Sequence, residues 1–142
     1  MSTRSWLLAC LLLPPLAGHC AEFFTGLHVS SPLAFSGSAG LKLGGANHVG
    51  SSPVIEVEAG IGGNKILLGF DSMGAGKGLG YGIKASLLNT WFEPIRLEDG
   101  LTYLGVELAA GVHQFIGTLG GYRLIEGDDE EWIASVGLGL RF

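Results

Sequence analysis

From Phe23 onward, apolar residues recur at every second position, the spacing of a β-strand that has one greasy face. Eight such segments can be marked, at roughly 22–30, 33–44, 53–62, 64–72, 78–90, 101–113, 115–125 and 131–142. In the second, one face reads Leu33, Phe35, Gly37, Ala39, Leu41 and Leu43; in the sixth, Thr102, Leu104, Val106, Leu108, Ala110 and Val112. The seventh gives Ile116, Thr118, Gly120, Tyr122 and Leu124 in one phase, with Phe115 and Leu119 on the other side. That segment alternates weakly, so its opposite phase stays open, as does a count of seven strands if the tight link at His113-Gln114 does not form a turn. Other breaks carry loop chemistry: Ser31-Pro32, 44–53, Gly62-Gly63-Asn64, 72–78, 90–100 and 127–130.

Charged residues inside the segments fall on the opposite face: Lys42, Glu56, Glu58, Lys65, Asp71, Lys84, Glu107, Arg123 and Arg141, joined by His28. Most strand glycines share that face. A soluble β-protein turns its apolar face inward and needs a polar outer face; here glycine and serine would have to supply most of it. Turned inside out, the sheet places aliphatic side chains against lipid and encloses glycines and paired charges in a narrow lumen. Lipid forbids an open sheet edge, because unsatisfied backbone groups there cost several kcal/mol each. The expected fold is therefore all-β, an antiparallel, up-and-down, eight-stranded transmembrane β-barrel. An even strand count places both termini at the periplasmic side.

Composition agrees. Glycine makes up 25 of 142 residues, well above the ordinary ~7%, which disfavours a helical bundle. Only 15% of residues are charged, and no basic cluster offers a footprint for nucleic acid. The length fits one domain.

The first residues read as a secretory leader: Arg4, then the apolar stretch Trp6 to Leu16, then small residues before a cleavage point near Cys20 or Ala21. The predicted division is a signal peptide over 1–21 and a barrel domain over 22–142. Pro14-Pro15 interrupts the apolar run, which is too short for a membrane anchor. Loss of Arg4 with the leader shifts the formal charge from −5 to −6. Cys10 would go with it, leaving at most one cysteine and no internal disulfide.

Candidate chemistry is sparse. His28 and Ser30 are two apart on the polar face, a spacing that with a distant carboxylate can make a hydrolytic site and that faintly resembles outer-membrane lipid A deacylases; an ordinary lumen histidine is the blander reading. Glu56 and Glu58 lie on one strand face with Lys84 and Arg141 as counter-ions, read as part of a lumen salt-bridge network. The acidic run Asp128, Asp129, Glu130 and Glu131 can hold a divalent cation, or serve only as a solvated loop. Trp91 and Phe92 open the longest loop and suit an interfacial anchor. No motif calls for a cofactor.

The last segment, Trp132-Ile133-Ala134-Ser135-Val136-Gly137-Leu138-Gly139-Leu140-Arg141-Phe142, resembles the closing strand of bacterial outer-membrane barrels. That resemblance implies an assembly signal in Trp132, Leu138, Leu140 and Phe142, read by the barrel-assembly machinery. Ten steps of ~3.3 Å tilted by ~40° span ~25 Å, the height of the apolar band in such proteins. Over 22–142 the pattern is similar to small eight-stranded barrels of the outer-membrane protein A transmembrane-domain and opacity-protein type. The implied location is the bacterial outer membrane, with membrane lipid and lipopolysaccharide as partners. The implied role is structural or surface interaction in the cell envelope, around a packed lumen. The alternatives are a barrel-embedded lipid-modifying enzyme and a soluble periplasmic β-barrel that binds an apolar ligand.

Overall fold

A computed structural model describes residues 21–44, 50–73, 78–91, 100–125 and 131–142. Eight strands follow in chain order: β1 (Glu22–Ser30), β2 (Ala34–Lys42), β3 (Ser52–Gly60), β4 (Gly63–Asp71), β5 (Leu79–Thr90), β6 (Thr102–Val112), β7 (Phe115–Leu124) and β8 (Trp132–Arg141). Each pairs antiparallel with the next and β8 returns to β1, closing an up-and-down barrel. The two-residue link His113-Gln114 does form a turn, which fixes the count at eight. His113 takes φ 57° there, a left-handed conformation that histidine tolerates better than most non-glycine residues.

The closing seam is the shortest. β5 and β6 pair from Leu79↔Val112 to Asn89↔Thr102, whereas β1 and β8 pair only from Gly26↔Arg141 to Ser30↔Gly137. Reciprocal backbone bonds between Thr25 and Phe142, at 3.1 and 2.8 Å, and one from Ser31 N–H to the Val136 carbonyl extend it. Strand direction puts the two ends of the barrel wall, Glu22 and Arg141, at one rim, here the terminal rim; the turns 31–33 and 61–62 lie at the opposite rim.

Period-two alternation decides what each face meets. Leu104, Val106, Leu108, Val136 and Leu138 point outward and are 49–72% exposed, while Glu56, Glu58, Lys65, Asp71, Lys84 and Glu107 are at most 3% exposed inside. Outward aromatic side chains gather near the rims: Phe23, Phe70, Tyr81, Phe115 and Phe142 at the terminal rim, Phe35 and Trp132 at the other.

Two of the expected placements are corrected. β7 adopts the alternative phase, with Ile116, Gly120 and Tyr122 inward and Phe115, Leu119, Gly121 and Arg123 outward. Cross-strand partners share a face, so Arg123, opposite both Leu104 and Trp132, stands outside with them. The inward tyrosine needs space, and glycine provides it: a Cβ on Gly105 or Gly120 would lie 2.5 or 2.6 Å from the Tyr122 ring. Leu33 is also inside, fully buried, because Ala34 at φ 60° interrupts the alternation before β2 begins.

Candidate functional site in the barrel lumen

The lumen is filled in layers. Near the opposite rim, Leu33, Leu88, Tyr103 and Tyr122 form an apolar cap with Leu101, Leu124 and Ile133 packed against it. Near the terminal rim, Met73, Ala109 and Ile116 form a smaller cluster, with Phe24 also buried inside. Charged side chains occupy the space between. They arrive there because strand alternation turns each inward, not because any loop delivers it.

Below the cap, Lys65 Nζ lies 2.8 Å from Glu58 and 2.9 Å from Glu107. Ser36 donates to Glu58 at 2.5 Å and the Tyr122 hydroxyl donates to Glu107 at 2.8 Å. Nearer the terminal rim, Lys84 meets Glu56 at 2.5 Å and Asp71 at 3.8 Å. Arg141 spans the same pair of carboxylates, at 2.5 Å to Asp71 and 3.3 Å to Glu56. Lys42 stands 3.9 Å from Asp71, which also accepts the Met73 N–H at 2.6 Å. Of these contacts, Lys84–Glu56, Lys65–Glu107 and Arg141–Asp71 cross the lumen between β3 and β5, β4 and β6, and β4 and β8. They therefore tie together strands that are not neighbours in the sheet.

The physical role of this network follows from what it would cost to break. A buried charge without a partner is expensive, whereas a buried pair with its remaining hydrogen bonds satisfied is roughly neutral against apolar packing. With Arg123 outside, four cations (Lys42, Lys65, Lys84, Arg141) face four carboxylates (Glu56, Glu58, Asp71, Glu107) within the lumen. Arg123 instead sits with its guanidinium 6.0 Å from the centre of the Trp132 ring, both side chains being exposed. The expectation that it joins the lumen network is thus overturned.

His28 is buried, and its Nε2 lies 3.1 Å from Ser38 Oγ rather than against Ser30. Ser30 Oγ is buried with no hydrogen-bond partner among the described residues. The ring sits between glycines: a Cβ at Gly26 or Gly139 would come within 2.7 or 2.5 Å of its nitrogens. A hydrolytic site requires a nucleophile bonded to its base and a third group orienting that base. The two candidates are not brought together in that way. Ser38, the actual partner of the ring, stands opposite Gly26 in the β1–β2 register, whereas the residue directly across from His28 is Ser36.

Trp132 and Phe142 occupy the first position of β8 and the position just after it, both exposed, with Leu138 exposed and Leu140 half-buried between them. The candidate cation ligands Asp128, Asp129 and Glu130, the aromatic Phe92 and the leader over 1–20 lie outside the described residues. Compared with protein-family models, with curated proteins and with solved structures, the chain matches none of them.

Proposed function

We propose that this protein is an integral barrel of the bacterial outer membrane, of the outer-membrane protein A transmembrane-domain or opacity-protein kind. In this reading it serves the cell envelope structurally or through surface contacts, and its lumen does not conduct. The observation that carries the reading is the direction of the side chains. Isoleucine, leucine, valine and phenylalanine cover the outer wall, while the carboxylates and ammonium groups of β2 to β6 are enclosed. A soluble protein of this size exposes apolar patches of only a few hundred Å², and a wall of this kind is stable when acyl chains cover it. Aromatic residues near both rims suit the two interfaces, and closure leaves no sheet edge for lipid to meet. The apolar cap and crossed ion pairs fill the space that a channel would need. Trp132, Leu138, Leu140 and Phe142 are then the residues offered to the barrel-assembly machinery, and lipid and lipopolysaccharide are the partners of the outer wall.

Cell fractionation combined with gel mobility tests this directly. The protein is expected in the outer-membrane fraction, and an unboiled sample in dodecyl sulfate should run faster than a boiled one. Recovery from the aqueous fraction without detergent would reject the proposal in favour of a soluble barrel.

A further inference from the structure

We infer that the mouth of the lumen at the terminal rim is a binding site for a small organic anion, a carboxylate group carried on a short apolar body. The mouth encloses about 200 Å³, below the ~300–1,000 Å³ typical of pockets for drug-sized ligands, so the occupant is compact. Lys42 and Arg141 supply its cationic wall, and Phe24, Met73 and Ile116 its apolar wall.

Three features point to an anion. Lumen charge is divided unequally along the barrel axis: Lys42, Lys84 and Arg141 contact Glu56 and Asp71 near this mouth, while Lys65 alone contacts Glu58 and Glu107 deeper in. Inside the lumen the mouth-side layer thus holds three cations to two carboxylates, and the deeper layer one cation to two carboxylates. Arg141 is 8% exposed and its Nε is buried without a hydrogen-bond partner, although both terminal nitrogens are engaged. Leaving a buried donor unmet costs about 1–3 kcal/mol, and the guanidinium that carries it belongs to a residue lining the mouth. The centre of the Phe24 ring lies 4.1 Å from the guanidinium carbon, a stacking that holds the group at the mouth.

The mouth also contains its own competitor. Glu22 lines it, is exposed, and lies directly across from Lys42 in the β1–β2 register. Its carboxylate opposes entry of a second anion, so its removal should strengthen binding. This site depends on the lumen alone, and it stands or falls independently of whether lipid covers the outer wall.

The test is an amide-resonance titration of the full chain folded in uncharged detergent micelles. Sodium butyrate is the probe, inorganic phosphate a second probe, and sodium chloride at equal ionic strength the control. Butyrate should shift Lys42, Met73, Ile116 and Arg141 saturably. Glu22→Gln, an exposed rim change that leaves the lumen pairs intact, should tighten that binding several-fold by removing a like charge. Lys42→Met should weaken it about tenfold or more. Butyrate shifts no larger than those from chloride, an affinity unchanged in both variants, or binding of phosphate in preference to butyrate would each overturn the assignment.

Discussion

Replacing Lys65 with methionine is expected to destabilise the barrel by about 3–5 kcal/mol, the usual cost of removing one partner from a buried charge network. The ammonium group is the shared partner of Glu58 and Glu107, and its side chain is 2% exposed. Without it, two carboxylates face each other in a space with little solvent. Replacing all three residues with apolar ones of similar volume should recover part of the loss, because a buried ionic group exchanged whole for apolar packing is often neutral. Recovery stays incomplete: Ser36 and Tyr122 lose their acceptors, and each orphaned donor costs about 1–3 kcal/mol. Arg123→Met is the comparison, since its guanidinium stands outside over an exposed ring, a contact worth only ~0.5–1 kcal/mol. Urea unfolding in micelles, followed by tryptophan fluorescence, measures all of these. A Lys65→Met barrel as stable as the parent would mean that the enclosed pairs do not hold the wall together.

The second large effect concerns the outer face. Leu108 lies mid-strand in β6, opposite Ile83 and Leu119, and is 49% exposed. On a wall facing water, Leu108→Arg would be an ordinary surface change within ±0.5 kcal/mol. On a wall facing acyl chains it costs about 2–4 kcal/mol near the bilayer midplane. Ile61→Arg, in the turn at the opposite rim, is the internal control, with an expected cost of about 0–1 kcal/mol at the interface. Refolding into phosphatidylcholine vesicles over a urea series gives both values, and equal small costs would contradict the membrane reading.

Most of the architecture was legible from residue alternation alone, because in β1 to β6 and β8 an apolar face opposes a face of glycine, serine and charge. β7 was not, for a physical reason. Both of its faces are apolar, Ile116 and Tyr122 against Phe115 and Leu119, and its single charge stands one residue from the strand end. At such a rim an outward arginine is cheap, since its head reaches polar surroundings. What settles the phase is volume: the Tyr122 ring fits over Gly105 and Gly120 and its hydroxyl meets Glu107. Leu33 escaped for a related reason, since a left-handed Ala34 cannot be read from an alternation pattern.

The enclosed charges other than the misplaced Arg123 were legible too, as were Lys84 and Arg141 as counter-ions of Glu56, but the pairing of Glu58 and Glu107 with Lys65 was not. Lys84 and Glu107 are opposite in register, yet Lys84 reaches across to Glu56 and Lys65 reaches Glu107. Which ammonium meets which carboxylate depends on strand tilt and stagger around the whole ring, information that no single segment contains. The His28 and Ser30 spacing looked like paired chemistry only in one dimension. In the folded barrel the imidazole reaches diagonally to Ser38, which stands opposite Gly26.

A nitroxide scan along β6 tests the outward-facing wall most directly. Single cysteines are placed at Leu104, Val106, Leu108, Ala109 and Ala110 in a background carrying Cys10→Ser and Cys20→Ser, spin-labelled, and reconstituted into vesicles. Labels at Leu104, Val106, Leu108 and Ala110 should collide freely with oxygen, which concentrates in acyl chains, and rarely with a water-soluble nickel chelate. A label at the inward Ala109 should be shielded from both. Frequent nickel collisions at Leu104, Val106 and Leu108 would show that this wall faces water, and the account would fail.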